Sequence, residues 1–243
     1  MQNTLQANTL WLDQIIQILQ KDTENSVEPM TQQIIFLYGR DSYGPVIPDF
    51  DPGSSNEKIS YLILISCLLS LQARDVVTLP VSIELFKLAK TPQEMVALSI
   101  SQIEQTIKSI NYFRTKAKRL HTVSQELIDR FDGKVPADLA QLRSIKGIGL
   151  KTANLVLAEA FGIPAICVDT HVHRLSNHWG IVRTKTPEQT EAALKKILPL
   201  KHWIIWNYLL VKYGQGICKT KQCDLETCKE ISAIVKKQVF VQN

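Results

Sequence analysis

Residues 142–161 read LRSIKGIGLKTANLVLAEAF, and the architecture follows from this stretch. Two glycines, Gly147 and Gly149, bracket Ile148 between segments of helical apolar spacing. Lacking side chains, they allow a tight turn and let a ligand come close to the backbone. A helix opening near Leu150 aims its first N–H groups toward that turn. Turn amides and a helix N-terminus together form a phosphate site that needs no base contact. The apolar frame of Leu142, Ile145, Ile148 and Leu155 separates a packed helical hairpin from a plain glycine-rich connector. Such a hairpin points to DNA binding and leaves the chemistry open.

Outward from the hairpin, the pattern stays helical. TLWLDQIIQIL (9–19) has apolar residues at helical spacing, and the segment from Lys58 to Leu71, opened by Ser55, predicts a central buried helix. Thr91-Pro92-Gln93-Glu94 reads as a capping box with proline at the first helical position. Thr186-Pro187-Glu188-Gln189 repeats that logic before a helix reaching about Leu198. Residues 114–131 predict an amphipathic helix ended by Asp132-Gly133, and 201–213 and 225–238 complete the set. Residues 41–56, DSYGPVIPDFDPGSSN, read as a linker. No sustained period-2 alternation appears, so the fold class is all-α.

Composition narrows the function classes. The 243 residues are 45% hydrophobic and 21% charged, ordinary globular values that exclude fibrous and disordered readings. The longest mostly apolar run, Tyr61 to Leu71, is too short to span a bilayer. The N-terminus has neither the basic region of a secretory signal nor the arginines of a transit peptide, so a soluble cytoplasmic protein without a membrane partner is expected. The net charge of +5 is uneven. Residues 1–60 hold three Lys/Arg and eight Asp/Glu, whereas Lys108 to Arg119 carries five basic residues and no acid. That distribution suits a polyanionic partner, or a solvated helix face.

Two residues near the hairpin are placed for chemistry. Lys151 falls in the first turn of the second helix, where the helix dipole disfavours an ammonium ion. The arrangement is poor for stability and useful for an amine nucleophile, although a lysine reaching a phosphate fits as well. Asp169, in AICVDTHVHRLSN, stands where an N-cap is expected. A carboxylate fixed by backbone N–H groups could also stabilise a developing oxocarbenium ion. His171 and His173 lack the i, i+4 spacing of a metal pair and read as structural or DNA-contacting; Trp203 and Trp206 read as core. Cys67 and Cys167 sit in apolar runs, while Cys218, Cys223 and Cys228 cluster near the C-terminus. An odd cysteine count argues against a disulfide framework.

The run from Leu142 to Asn177 resembles the helix-hairpin-helix/Gly-Pro-Asp DNA glycosylases, and within them endonuclease III. The similarity extends through LLSLQARD (68–75), KSINYFRTKAKRL (108–120), GKVPADLAQL (133–142) and KHWIIWNYLLVKYGQGIC (201–218), covering roughly residues 55–218. The resemblance implies two helical domains flanking a DNA-binding cleft: an N-terminal extension over 1–52, a six-helix barrel-like domain over 53–163 holding the hairpin, and a C-terminal helical region over 164–243 that the N-terminal helices join. It further implies that Lys151 is the Schiff-base lysine and Asp169 the essential aspartate. Gln72 matches the residue that fills the hole left by an extruded base, and Tyr112 stands at the wedge position. Gly147, Ile148, Gly149 and Thr152 belong to the DNA-binding hairpin, and His171 to the DNA contacts. The implied activity is removal of oxidised pyrimidines from double-stranded DNA with strand cleavage at the abasic site, by a monomer acting at the nucleoid. A related glycosylase for mismatched or alkylated bases, and a catalytically silent DNA-binding module, are the alternatives.

The chain departs from that family in its cysteines. Endonuclease III usually holds a [4Fe–4S] cluster on C-x6-C-x2-C-x5-C, whereas Cys218, Cys223 and Cys228 read C-x4-C-x4-C. A fourth ligand is missing from this region, so no cofactor is assigned; a complete cluster, a three-cysteine zinc site and plain thiols all remain open. Asn111 and Tyr112 in the wedge loop leave opposite-base preference open.

Overall fold

The computed structural model describes residues 10–38, 57–220 and 223–241. The expected linker at 41–56 and the start signal at Ser55 lie outside them. Among the described residues there are thirteen α-helices, one 3-10 turn and no strand, as the all-α reading expects. No helix among them is long and apolar enough to cross a membrane. The chain divides into two compact units, one spanning Pro29–Ala165 and the other built from the segments up to Glu28 and from Ile166 onward. The division falls at 28/29 and 165/166, beside sequence-based limits of 52/53 and 163/164.

In the Pro29–Ala165 unit, α2 (Met30–Tyr38), α4 (Asp75–Leu88), α7 (Phe113–Phe131) and α9 (Leu150–Phe161) pack around α3 (Glu57–Ser70). Every residue of α3 from Ile59 to Leu69 is buried, so the helix has no polar stripe. An all-round apolar helix is stable in water only when enclosed. Each fully buried Leu or Ile contributes about 1.5–3 kcal/mol. Its polar groups are satisfied internally: Ser66 Oγ donates to the Leu62 carbonyl at 2.7 Å, and the Tyr61 and Ser124 hydroxyls meet at 2.7 Å. Short α5 (Pro92–Ala97) starts with the expected capping box, Glu94 N donating to Thr91 Oγ1 at 3.2 Å and Thr91 N to Glu94 Oε2 at 3.0 Å. Next come α6 (Ile100–Thr106), with its own Ser99–Gln102 box, and α7, ended by left-handed Asp132 and Gly133 as expected. Helix α8 (Leu139–Ser144) leads into the hairpin, and Gly162, at φ +63, closes α9.

In the other unit, α1 (Leu10–Thr23) packs against α12 (Trp203–Gly216) and α13 (Glu226–Val241), and α10 (Thr170–His178) packs on α12 and α11 (Pro187–Ile197). Trp11, Leu12, Ile15 and Leu19 share one core with Trp206, Leu209, Tyr213 and Ile231. Trp206 is fully buried and Trp203 only partly, its Nε1 donating to the Leu198 carbonyl at 3.1 Å. Polar ties reinforce the seam. Lys212 Nζ meets Glu28 Oε1 at 2.7 Å, Tyr208 donates to the same carboxylate, and Thr227 Oγ1 donates to Asp22 at 2.6 Å.

Candidate active site and nucleic-acid interface

The hairpin turn is set by Gly147, whose φ of +101 lies outside the range an L side chain readily adopts. Any Cβ there would also press to 3.1 Å from Arg119 Cγ. Gly149 differs. Its backbone is extended, and a Cβ on it would meet nothing within 4 Å. Turn geometry therefore demands glycine at 147, and nothing inside the protein demands it at 149. Gly149 is the N-cap of α9 and provides no side-chain cap to its first amides.

Ile148 is not a surface residue of the hairpin. It is only 5% exposed, and its N–H donates to the Ile145 carbonyl at 3.1 Å. Together with Leu142 and Ile145 it packs the turn onto its own helices. Thr152 is likewise buried. Sequence reasoning missed the fastening of this turn to α7. Arg130 donates to the Ser144 hydroxyl at 2.7 Å and carbonyl at 3.1 Å, and Lys146 N donates to Glu126 Oε1 at 3.2 Å.

Lys151 is the second residue of α9 and is exposed. Its charge is felt by Cys67 in α3. Burial pushes that thiol well up, Glu159 adds to the rise, and Lys151 pulls the other way.

Gln72 and Tyr112 share an unusual backbone. Among the described residues only three non-glycine residues have positive φ, and these are two of them, at +55 and +58. The left-handed conformation costs such residues roughly 1–2 kcal/mol, and strain of this kind concentrates at functional sites. Both are exposed, Tyr112 by 65%. Two contacts tie their loops together: Asn111 Nδ2 donates to the Gln72 carbonyl at 3.4 Å, and buried Lys116 donates through Nζ to the Leu69 carbonyl at 2.8 Å. Burial, with Arg119 nearby, lowers the Lys116 ammonium to about 8.

Asp169 belongs to the other unit. It caps α10 as expected, Oδ1 accepting from the N–H groups of His171 and Val172 at 2.8 Å each. Both bonds fall on one oxygen, so the second stays outside the cap. His171 is half-buried and packs on α12. A Cβ on Gly214 would come within 2.5 Å of its Nδ1. His173 bonds the Thr190 hydroxyl at 2.6 Å, joining α10 to α11, and Asn177 accepts from the Thr184 N–H at 2.8 Å, fixing the loop that leads into α11.

Cys218, Cys223 and Cys228 meet. Their sulfurs all lie within 4.8 Å of one another, and all three residues are buried. Burial raises the Cys223 and Cys228 thiols above their ordinary range. Arg174 donates to Cys218 Sγ at 3.2 Å and to the carbonyls of Cys218 and Thr220. A [4Fe–4S] cluster normally takes four thiolates. Of the five cysteines in the chain, Cys67 lies within α3 of the other unit and Cys167 stands outside this group. The donor set does not fit a four-thiolate cluster.

Residues 65–200 match the model of the HhH-GPD superfamily of base excision DNA repair proteins. The chain is 41% identical over 177 residues to endonuclease III of Thermotoga maritima, covering 73% of this chain and 83% of that protein. To endonuclease III of Bacillus subtilis it is 35% identical over 171 residues, covering 70% and 78%. Among solved structures, a trapped endonuclease III–DNA covalent intermediate in an estranged-adenine complex superposes with a TM-score of 0.66 at 30% identity, covering 86% of this chain and 95% of that one. The chain belongs to the HhH-GPD superfamily of base excision DNA repair proteins, in its endonuclease III family. It is accordingly an enzyme, a DNA glycosylase of base excision repair.

Proposed function

We propose that the chain removes oxidised pyrimidines from duplex DNA and cuts the strand at the resulting abasic site, with Lys151 as nucleophile. The observation that carries this reading is an exposed lysine in the first turn of the helix that opens from a glycine hairpin. A solved relative trapped as a covalent protein–DNA intermediate supports it.

C1′ and its base are out of reach inside the stack, so the nucleotide is first flipped. Gln72 fills the vacated position and Tyr112 wedges the opposite strand, their loops held as one piece by Asn111 and Lys116. Neutral Lys151 Nζ attacks C1′. The C1′–N bond breaks, and the base leaves with the bonding electrons and takes up a proton. The nitrogen of Lys151 gives up the proton that balances the departing base, and its other proton goes to O4′ as the C1′–O4′ bond breaks and the sugar ring opens to a C1′ imine. Loss of a C2′ proton then expels the 3′ phosphate by β-elimination, and water returns the enzyme. Asp169 stabilises the positive charge that develops on the sugar.

A panel of duplexes tests the reading. Excision with strand cleavage is expected on an oxidised pyrimidine such as thymine glycol and cleavage alone on a preformed abasic site, with far slower action on mismatched or alkylated bases. Preference for a mismatch or an alkylated base overturns the substrate class; binding without excision on every duplex overturns the enzyme reading.

The hairpin has its own test. In Gly149→Ala the new methyl group meets no protein atom, so stability should change by no more than about 1 kcal/mol. The same methyl occupies the approach of a phosphate to the first amides of α9. Affinity for undamaged duplex should therefore fall at least about tenfold at low salt, and the remaining affinity should still drop steeply as salt rises. Unchanged affinity in this variant would remove Gly149 from the interface.

A further inference from the structure

We propose that Cys218, Cys223 and Cys228 bind a single thiophilic ion of the zinc class, at the end of the chain where the family usually carries an iron–sulfur cluster. The proposal is independent of the excision reading and involves neither Lys151 nor Asp169.

The first argument is ligand number. Three cysteines gather here, and among the described residues neither Cys67 nor Cys167 belongs to the group, whereas three protein ligands plus a water or other exchangeable donor complete a tetrahedral zinc ion. The second is spacing. Thiolates about 2.3 Å from one tetrahedral ion stand about 3.8 Å apart. The three sulfurs lie within 4.8 Å of one another; Cys223 and Cys228, in hydrogen-bond contact at 3.0 Å, would move apart by under about 1 Å to share an ion. In a cubane cluster each thiolate caps a different iron, which holds the sulfurs further apart than a shared ion does.

The surroundings fit as well. Three thiolates on a divalent ion leave one excess negative charge, which is costly to bury unless compensated. Arg174 supplies the compensating charge, its guanidinium touching Cys218 Sγ at 3.2 Å and held in place by the Cys218 and Thr220 carbonyls. An open pocket of about 290 Å³, lined by Cys218, Thr220, Cys223 and Asp224 among others, gives the ion a way in. The three ligands come from the segment after α12, the following loop and the first turn of α13. A bound ion would therefore clip α13 to the end of α12.

The test uses the full-length chain purified from cells supplied with both iron and zinc. About one zinc per chain and no acid-labile sulfide is expected. After stripping, cobalt(II) should restore one equivalent with thiolate-to-cobalt charge-transfer absorption and raise the melting temperature. Cys218→Ser, Cys223→Ser and Cys228→Ser should each weaken cobalt binding at least about tenfold. Cys67→Ser should leave it unchanged. Because a serine at a buried site can itself unfold the chain, circular dichroism accompanies each variant, and the stripped wild type serves as the second measurement. Four irons with four sulfides after anaerobic iron and sulfide supply would overturn the proposal. So would a stripped, folded wild type that takes up neither zinc nor cobalt, or cobalt absorption that survives in folded variants of all three cysteines.

Discussion

Lys151→Ala is expected to remove the borohydride-trapped adduct with abasic-site DNA entirely. Borohydride reduces only the imine between enzyme and sugar, so the trapped band reports which amine attacks. The substitution is mild for the fold. Lys151 is exposed, alanine is the best helix former, and losing a cation from the first turn of α9 relieves an unfavourable dipole contact. Melting should stay level or rise by a few tenths of a kcal/mol. Affinity for abasic duplex should change by less than about tenfold, because one cation among several phosphate contacts is lost. A folded, DNA-binding protein without an adduct assigns the nucleophile. An adduct that persists in the folded variant moves the nucleophile to another amine, and the proposed mechanism fails with it.

The second large effect is expected from Asp169→Asn. Asparagine caps a helix about as well as aspartate. Both capping bonds, from His171 N and Val172 N, fall on a single oxygen that an amide carbonyl reproduces. Stability should therefore stay within about 1 kcal/mol of the parent chain. What disappears is the negative charge, and base excision should drop by about 10²–10⁴-fold, the range ordinary for a positioned acid, base or charge-stabilising group. Thermal melting and single-turnover excision on the same preparation separate cap from catalyst. Full activity in the folded variant would leave Asp169 with its structural role alone.

Much of this was legible from local pattern. The hairpin, the buried helix α3 and the Thr91 cap are each written within about a dozen consecutive residues, and they appear as expected. Helix α4 was hidden by Pro80 in its interior, which removes the N–H that would bond Val76, and α6 is too short to show a periodic stripe. At the site, spacing separated glycine from glycine poorly. Only backbone angles and the space around each distinguish Gly147, required by the turn, from Gly149, open to a ligand. Ile148 belongs to the apolar frame that the sequence shows, and its burial together with Leu142 and Ile145 sets it apart from the DNA contacts that the family resemblance implies for it. Contacts between distant positions left no local trace. Lys116 on the Leu69 carbonyl, Arg130 on Ser144 and the ring of His171 against Gly214 all depend on how helices pack. The strained backbone of Gln72 and Tyr112 is of the same kind, since the residue types give no hint of positive φ.

One topological fact bears on how the molecule is made. Helix α1 precedes the Pro29–Ala165 unit in the chain, but the helices that cover it, α12 and α13, follow that unit and are synthesised after it. Domains generally assemble as units during translation, earlier ones first. The Pro29–Ala165 unit can close while the nascent chain is still growing, but Leu12, Ile15 and Leu19 must wait uncovered until α12 and α13 arrive. That interval is when this chain most needs a chaperone.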